Sequence, residues 1–206
     1  MFVECEQAST RDLYRMLISS VVPRPIAWVS SQSSKGVLNL APFSFFNAFS
    51  ADPPIIGIGI GLKEHQTVEG KSELVPKDSL KNILDTGEFV VNIVSLELAD
   101  KMNQSSAEYA PNISEFEKAG LTPCPAKIVK PPLVSEAKIS MECRLHQDIP
   151  LGGSVLVLGR IVGIHIHDDI WKNNAVDVRL LQPIGRLGGI SYCKVESIFE
   201  MPRPTV

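Results

Sequence analysis

The run Ile55-Ile56-Gly57-Ile58-Gly59-Ile60-Gly61 places the tightest constraint on the fold. Its alternation has a period of two. As a strand it puts Ile56, Ile58 and Ile60 on one face and Gly57, Gly59 and Gly61 on the other. Glycine weakens a strand, so a face made of it means that something packs close to the backbone there. Either a ligand or another strand satisfies that pattern. Asp52-Pro53-Pro54 bounds the run on its N-terminal side, because proline cannot donate to a sheet ladder and belongs at strand starts, edges or turns.

Immediately upstream, Asn39-Leu40-Ala41-Pro42-Phe43-Ser44-Phe45-Phe46-Asn47-Ala48-Phe49-Ser50 alternates Phe43, Phe45 and Phe49 with hydroxyl, amide and small residues. As extended chain it sets aromatic area beside hydrogen-bonding groups. Such a wall suits a flat ligand with polar edges; a buried strand with two incidental serines uses the same residues.

Short elements surround these two stretches. Leu13, Met16 and Leu17 have helical spacing behind a Ser/Thr start in residues 9–18. Ile26 to Ser30 reads as a first strand, 31–36 as a polar turn and 37–50 as extended chain completing a hairpin. Residues 62–76 read as a charged surface loop. Pro76-Lys77-Asp78-Ser79 leads into a short helix with a good cap, and Gly87 closes it. Free N–H groups and the positive end of that helix favour an anion, to which Lys77, Ser79 and Asn82 add charge and donors. The plainer alternative is that Asp78 or Ser79 only caps the helix. Glu88 to Val94 is a further strand, Leu96 to Met102 a second short helix, and Ser114-Glu115-Phe116-Glu117 a third with capping-box spacing. A long connection, 104–132, covers the barrel or reaches a partner subunit. Residues 131–143, 154–167 and 176–183 supply three more strand-like segments. Many short strands with few helices favour a barrel over a parallel α/β sheet.

Composition excludes several function classes. The 206 residues, 44% of them hydrophobic, suit one domain spanning 1–206. Lys and Arg total 20 against 23 Asp and Glu, with no basic track, so nucleic acid is not an expected partner. No apolar run reaches the roughly 18 residues needed to span a bilayer, and the start lacks the basic and apolar regions of a signal peptide. The expectation is a cytoplasmic protein without a membrane partner. Cys5, Cys124, Cys143 and Cys193 form no Cys-x-x-Cys pair and read as reduced thiols. His165-Ile166-His167-Asp168-Asp169 could present two imidazoles to a divalent metal, or simply be a strand end emerging into solvent. The second reading is preferred, and no metal is expected. Neither a Gly-x-Ser-x-Gly elbow nor a His-Glu-x-x-His motif is present, so hydrolase chemistry has no support.

Five segments, taken in order, resemble the flavin reductase-like family. They are Pro23-Arg24-Pro25-Ile26-Ala27-Trp28-Val29-Ser30-Ser31, the Asn39–Ser50 stretch, Lys77-Asp78-Ser79-Leu80-Lys81-Asn82-Ile83, Thr86-Gly87-Glu88-Phe89-Val90-Val91-Asn92 and Arg186-Leu187-Gly188-Gly189-Ile190-Ser191-Tyr192. The resemblance implies a mainly β, Greek-key-type split β-barrel that binds FMN, has a few short peripheral helices and pairs as a homodimer. The implied activity is oxidoreductase, with NAD(P)H as a possible co-substrate and hydride passing through flavin N5 to a small acceptor. Because the cofactor carries the redox chemistry, no protein catalytic residue is implied. By motif, Trp28, Val29, Ser30 and Ser31 line the ring and ribityl end. Ser44, Phe45, Phe46, Asn47 and Ser50 make the main wall, and Lys77, Ser79 and Asn82 hold the phosphate. Arg186 and Tyr192 match a family motif without an assigned role. A phosphate at a helix start favours FMN over FAD. Many nicotinamide-dependent members carry Gly-Asp-His where this chain has Gly152-Gly153-Ser154. The alternative is therefore a flavoredoxin-like electron carrier that exchanges electrons with a protein partner.

Overall fold

The computed structural model describes residues 2–67, 70–110 and 112–205. Val68 and Glu69 of the expected 62–76 loop, and Pro111 of the long connection, lie outside the described residues. Seven strands form one antiparallel sheet: β1 (Ala27–Gln32), β2 (Leu38–Phe43), β3 (Phe46–Ala51), β4 (Pro54–Gly61), β5 (Glu88–Ile93), β6 (Ile139–Pro150) and β7 (Ser154–Ile166). Their order across the sheet is β2-β1-β5-β6-β7-β4-β3.

The strands β2 and β3 stand at opposite ends of that order, yet only Ser44 and Phe45 separate them in the chain. A link of that length spans roughly 11 Å at most, about two strand spacings. The sheet therefore has to curl until its two edges meet. At the corner the Gly59 N–H donates to the Phe45 carbonyl at 2.7 Å. The alternation through Phe43 and Phe45 suggested one extended segment from 37 to 50. It is two strands, divided where the chain crosses from one sheet edge to the other.

Inside the barrel, Ala27 and Val29 of β1 pack with Ile56, Ile58 and Ile60 of β4, Phe89 and Val91 of β5, and Val157 of β7. Leu80 and Ile83 of α2 (Asp78–Thr86) close this core. A second cluster lies on the other face of β1, where Trp28 packs with Leu40, Met102 and Phe116. Strand β1 is thus buried on both faces. The other helices are short: α1 (Thr10–Ser20), α3 (Ala99–Gln104), α4 (Glu115–Lys118) and α5 (Val178–Leu181). The Ser9 hydroxyl accepts the Asp12 N–H at the start of α1, as its sequence predicts. Gly87 ends α2 in the left-handed region, at φ 71°.

The glycine face of β4 is answered by β3 and the link that leads into it. A Cβ on Gly57 would lie 2.5 Å from the Phe49 ring, and one on Gly59 would lie 3.1 Å from Phe45 Cβ. Among the described residues, nothing lies within 4 Å of the corresponding point on Gly61. Aromatic side chains of the upstream stretch thus pack where a ligand was the alternative.

Four expectations are corrected. Lys63–Gln66 and Ser72–Val75 pair as a hairpin within the expected loop, a pairing that their charged side chains do not announce. Residues 178–181 form α5 rather than part of a strand, because the Asp177 carboxylate accepts the Arg179 N–H and caps a helical turn. Strand β6 runs on to Pro150, well past Cys143. The capping box from Ser114 to Glu117 does not form: Ser114 makes no cap bond, and its buried hydroxyl has no hydrogen-bond partner among the described residues.

Gly159 of β7 supports the ring of Phe89, which is fully buried. A Cβ there would lie 2.4 Å from Phe89 Cζ. Gly159→Ala is expected to destabilise the fold by about 2 kcal/mol through overpacking. Urea unfolding would measure it, and adding Phe89→Leu should recover part of the loss; full stability of the single variant would contradict this packing.

Candidate functional site

A cleft of about 220 Å³ forms where the start of α2 meets β2 and the loop 105–109. Helix α2 begins after Pro76, with Lys77 as its N-cap and no side-chain cap bond. The lysine side chain has no acceptor to offer, so the first-turn N–H groups lack the usual capping oxygen. The helix dipole adds partial positive charge at that end. Lys77 and Ser79 both line the cleft, with Asn39 opposite. Asn39 Nδ2 donates to Ser79 Oγ at 2.8 Å, fixing the hydroxyl. Lys63 also lines the cleft and lies 3.7 Å from Asp78 Oδ1.

Two residues of the long connection complete the surroundings. Ser105 accepts the Trp28 Nε1–H at 2.8 Å and donates to the Met102 carbonyl at 2.7 Å. Glu115 Oε2 accepts the Leu40 N–H at 2.9 Å on the free edge of β2. Burial raises the Glu115 pKa, its backbone hydrogen bonds oppose the rise, and the Asp78 charge adds to it. This carboxyl beside the helix start is biased towards keeping its proton.

The structure gathers only part of the expected site. Lys77 and Ser79 line the cleft, whereas Asn82 is buried one turn on and donates to Ser31 Oγ at 3.1 Å. Trp28, Val29, Ser30 and Ser31 are buried behind the cleft, and none of them lines it. Ser30 Oγ donates to the Pro132 carbonyl and Trp28 Nε1 is held by Ser105, so neither polar group is free. Ser44, Phe45, Phe46 and Asn47 line a separate hollow of about 370 Å³ beside Leu17 and Val21 of the N-terminal segment. Ser50 is exposed on β3. Sequence reasoning missed Asn39, the 105–109 loop and Glu115 as cleft residues. Asn39 opened a stretch already singled out; the others carried no local signal.

The His165 and His167 pair is not convergent. His165 Nε2 lies 2.6 Å from Glu142 Oε1, while His167 Nδ1 is 3.7 Å from Asp169 Oδ1. Among the described residues, no group of three or more His, Cys, Asp or Glu side chains is arranged to hold a metal.

The sequence model of the flavin reductase like domain matches residues 18–179. The chain belongs to that family. Its fold is the split β-barrel. It is similar to the crystal structure of nitrilotriacetate monooxygenase component B from Bacillus cereus, at 35% identity and a TM-score of 0.90 over 98% of both chains. It is also similar to the 2-nitrobenzoate 2-nitroreductase NbaA of Pseudomonas fluorescens, at 32% identity and a TM-score of 0.86, covering 100% of this chain and 97% of that one. An uncharacterised protein of Halalkalibacterium halodurans is 39% identical over 98% of this chain and 95% of its own length. Among the described residues, no helix is long and apolar enough to cross a membrane.

Within this family barrel, Glu142 organises the approach to the long connection. It is fully buried and accepts the N–H groups of Lys127, Ile128 and Val129 at 2.9, 2.6 and 2.9 Å. Burial alone would raise its pKa, but His165 and these three donors outweigh it and bring the carboxyl down to about 2 from 4.5. A depressed folded-state pKa contributes stability that is fully present above the unfolded value and is lost as pH falls from 4.5 towards 2. Glu142→Gln is expected to cost about 3 kcal/mol at neutral pH and to flatten the acid limb of stability in that window. Chemical unfolding at several pH values would show it; an unchanged acid limb would overturn the assignment.

Proposed function

We propose that the chain is an FMN-binding oxidoreductase of flavin reductase type, with the cofactor phosphate at the start of α2. The single observation that carries this reading is the uncapped helix start, with Lys77, Ser79 and Asn39 gathered around one cleft. The donor set fits a phosphate: backbone N–H groups, a hydroxyl, an amide and two lysines within reach of the same space. Membership of the family supports the flavin, and similarity to a monooxygenase component and a nitroreductase supports redox chemistry. When bound, FMN would supply that chemistry, taking hydride at N5 from NAD(P)H for delivery to a small acceptor. The chain's part is to hold the phosphate, orient the ring and exclude water.

The exposed aromatic face around β3 has a place in this reading. Phe49 is 63% exposed and Phe45 45% exposed, an unusual amount of apolar ring area to leave in water. A second copy packed there would form a homodimer and bring the wall of Ser44, Phe45, Phe46, Asn47 and Ser50 against a neighbouring cleft. A cytoplasmic location, where reduced nicotinamides are available, suits the same reading.

A second reading is favoured by one observation. The turn Leu151-Gly152-Gly153 and the Ser154 that opens β7 carry no imidazole to meet a nicotinamide, so a flavoredoxin-like carrier served by a protein partner fits this chain better. Anaerobic mixing of the FMN-loaded protein with NADH and NADPH separates the two. Bleaching within seconds supports the reductase; bleaching only with a protein reductant supports the carrier; no FMN binding overturns both.

Two further outcomes test the phosphate site. Lys77→Ala is expected to weaken FMN at least about tenfold, equivalent to about 1.4 kcal/mol, while leaving riboflavin, which lacks the phosphate, unaffected. Equal losses for both ligands would move the phosphate elsewhere. Because a phosphate favours the protonated form of Glu115, FMN affinity should fall as pH rises through that group's raised pKa. Glu115→Gln should flatten that dependence in a fluorescence-quenching titration.

A further inference from the structure

Arg24 and Arg186 face one another across an isolated antiparallel bridge. The Arg24 N–H donates to the Arg186 carbonyl at 2.9 Å, and the Arg186 N–H returns a bond to the Arg24 carbonyl at 2.8 Å. Residues paired in this way present their side chains to the same face, where like charges are destabilising. Arg24 is only 6% exposed. Among the described residues, neither guanidinium makes an ion pair with a carboxylate. Two cations are therefore held together, one of them buried, with no carboxylate among the described residues paired to either.

Both line a pocket of about 200 Å³ whose other walls include Tyr14, Phe43, Ser44 and Tyr192. Among the described residues, no Asp or Glu lines it, in contrast to the cofactor cleft with Asp78, Glu108 and Glu115. Pro42 and Phe43 belong to both, so the two spaces share a wall. Arg24 is a fixed charge: its Nη1 donates to the Ile18 and Val21 carbonyls at 2.7 and 2.8 Å, and its Nη2 to the Leu187 carbonyl at 3.0 Å. Arg186 lies over the Tyr192 ring, 4.4 Å from its centroid, with Nη1 donating to the Tyr192 hydroxyl and Nη2 to the Gly189 carbonyl at 2.6 Å. Of its five donors, Nε–H and one N–H on each terminal nitrogen are left for a ligand.

We propose that this pocket binds a small organic anion, a carboxylate carried on a single planar ring, beside the cofactor cleft. The guanidinium fork matches a carboxylate bidentately, and the tyrosine and phenylalanine rings offer faces to a planar body. The volume falls below the roughly 300–1,000 Å³ of sites for drug-sized ligands, so a one-ring molecule fits and a dinucleotide does not. As the acceptor pocket of a flavoprotein the assignment rests on the reading above; as an anion pocket it stands on the arginine pair alone.

Isothermal titration with benzoate and with benzamide, its neutral counterpart, tests the proposal on the wild-type protein with and without FMN. Benzoate is expected to bind at least about tenfold tighter than benzamide in both forms. Arg186→Gln should bring benzoate down to parity without changing benzamide, and Arg186→Lys should keep part of the preference. Parity in the wild-type protein overturns the proposal, as does displacement of benzoate by FMN or, at equal concentration, by inorganic phosphate. If FMN does not bind, the cofactor reading fails, while the benzoate preference of the cofactor-free protein still decides the pocket.

Discussion

The two-residue link between β2 and β3 governs this structure. Because Ser44 and Phe45 must join strands at opposite ends of the sheet order, the sheet cannot lie open. The same link carries Phe45 onto Gly59 and leaves Ser44 Oγ 3.4 Å from Arg24 Nε. It also leaves β2 with one free edge, which is where α4 sends Glu115 and where α2 begins. The cleft at the start of α2 and the arginine pocket lie on either side of the segment that reaches this corner.

Buried polar side chains then tie the long connection to the barrel. Asn92 is fully buried and donates to the Trp28 carbonyl at 3.0 Å and to Ser30 Oγ at 3.4 Å. Its Oδ1 accepts the Val134 N–H at 3.0 Å and the Ser140 hydroxyl at 2.7 Å. Glu142 grips residues 127–129 in a similar way, a few residues earlier in the connection. Networks with every donor and acceptor used fix a segment more rigidly than apolar contact alone, because any shift leaves a buried group unpaired. The loop bordering the cleft is in turn held by the hydrogen bond from the Trp28 indole to Ser105.

What could be read from the sequence was what repeats locally. The Ile and Gly alternation gave β4, the Ser9 cap and apolar spacing gave α1, and Gly87 gave the end of α2. What could not be read depends on which segments meet. Nothing in 37–50 marks the corner at Ser44, since the constraint is the position of β3 beside β4. The hairpin of Lys63–Gln66 and Ser72–Val75 lacks an apolar face, and Asp177 turned an expected strand into a helical turn through one cap bond. Lys77 and Ser79 were recognisable because a helix start has a signature of its own. The Trp28 to Ser31 run was placed at the ring and ribityl end by family motif alone, and the strand that carries it is covered on both faces.

Arg24 and Leu187, joined by a hydrogen bond, are 163 positions apart. During synthesis the N-terminal helix and β1 therefore leave the ribosome long before the segment that completes their surroundings. Until then the Arg24 guanidinium lacks one of the three carbonyls that hold it in the folded chain. The arginine pocket thus closes only when residues 186–192 join an N-terminal segment made long before them.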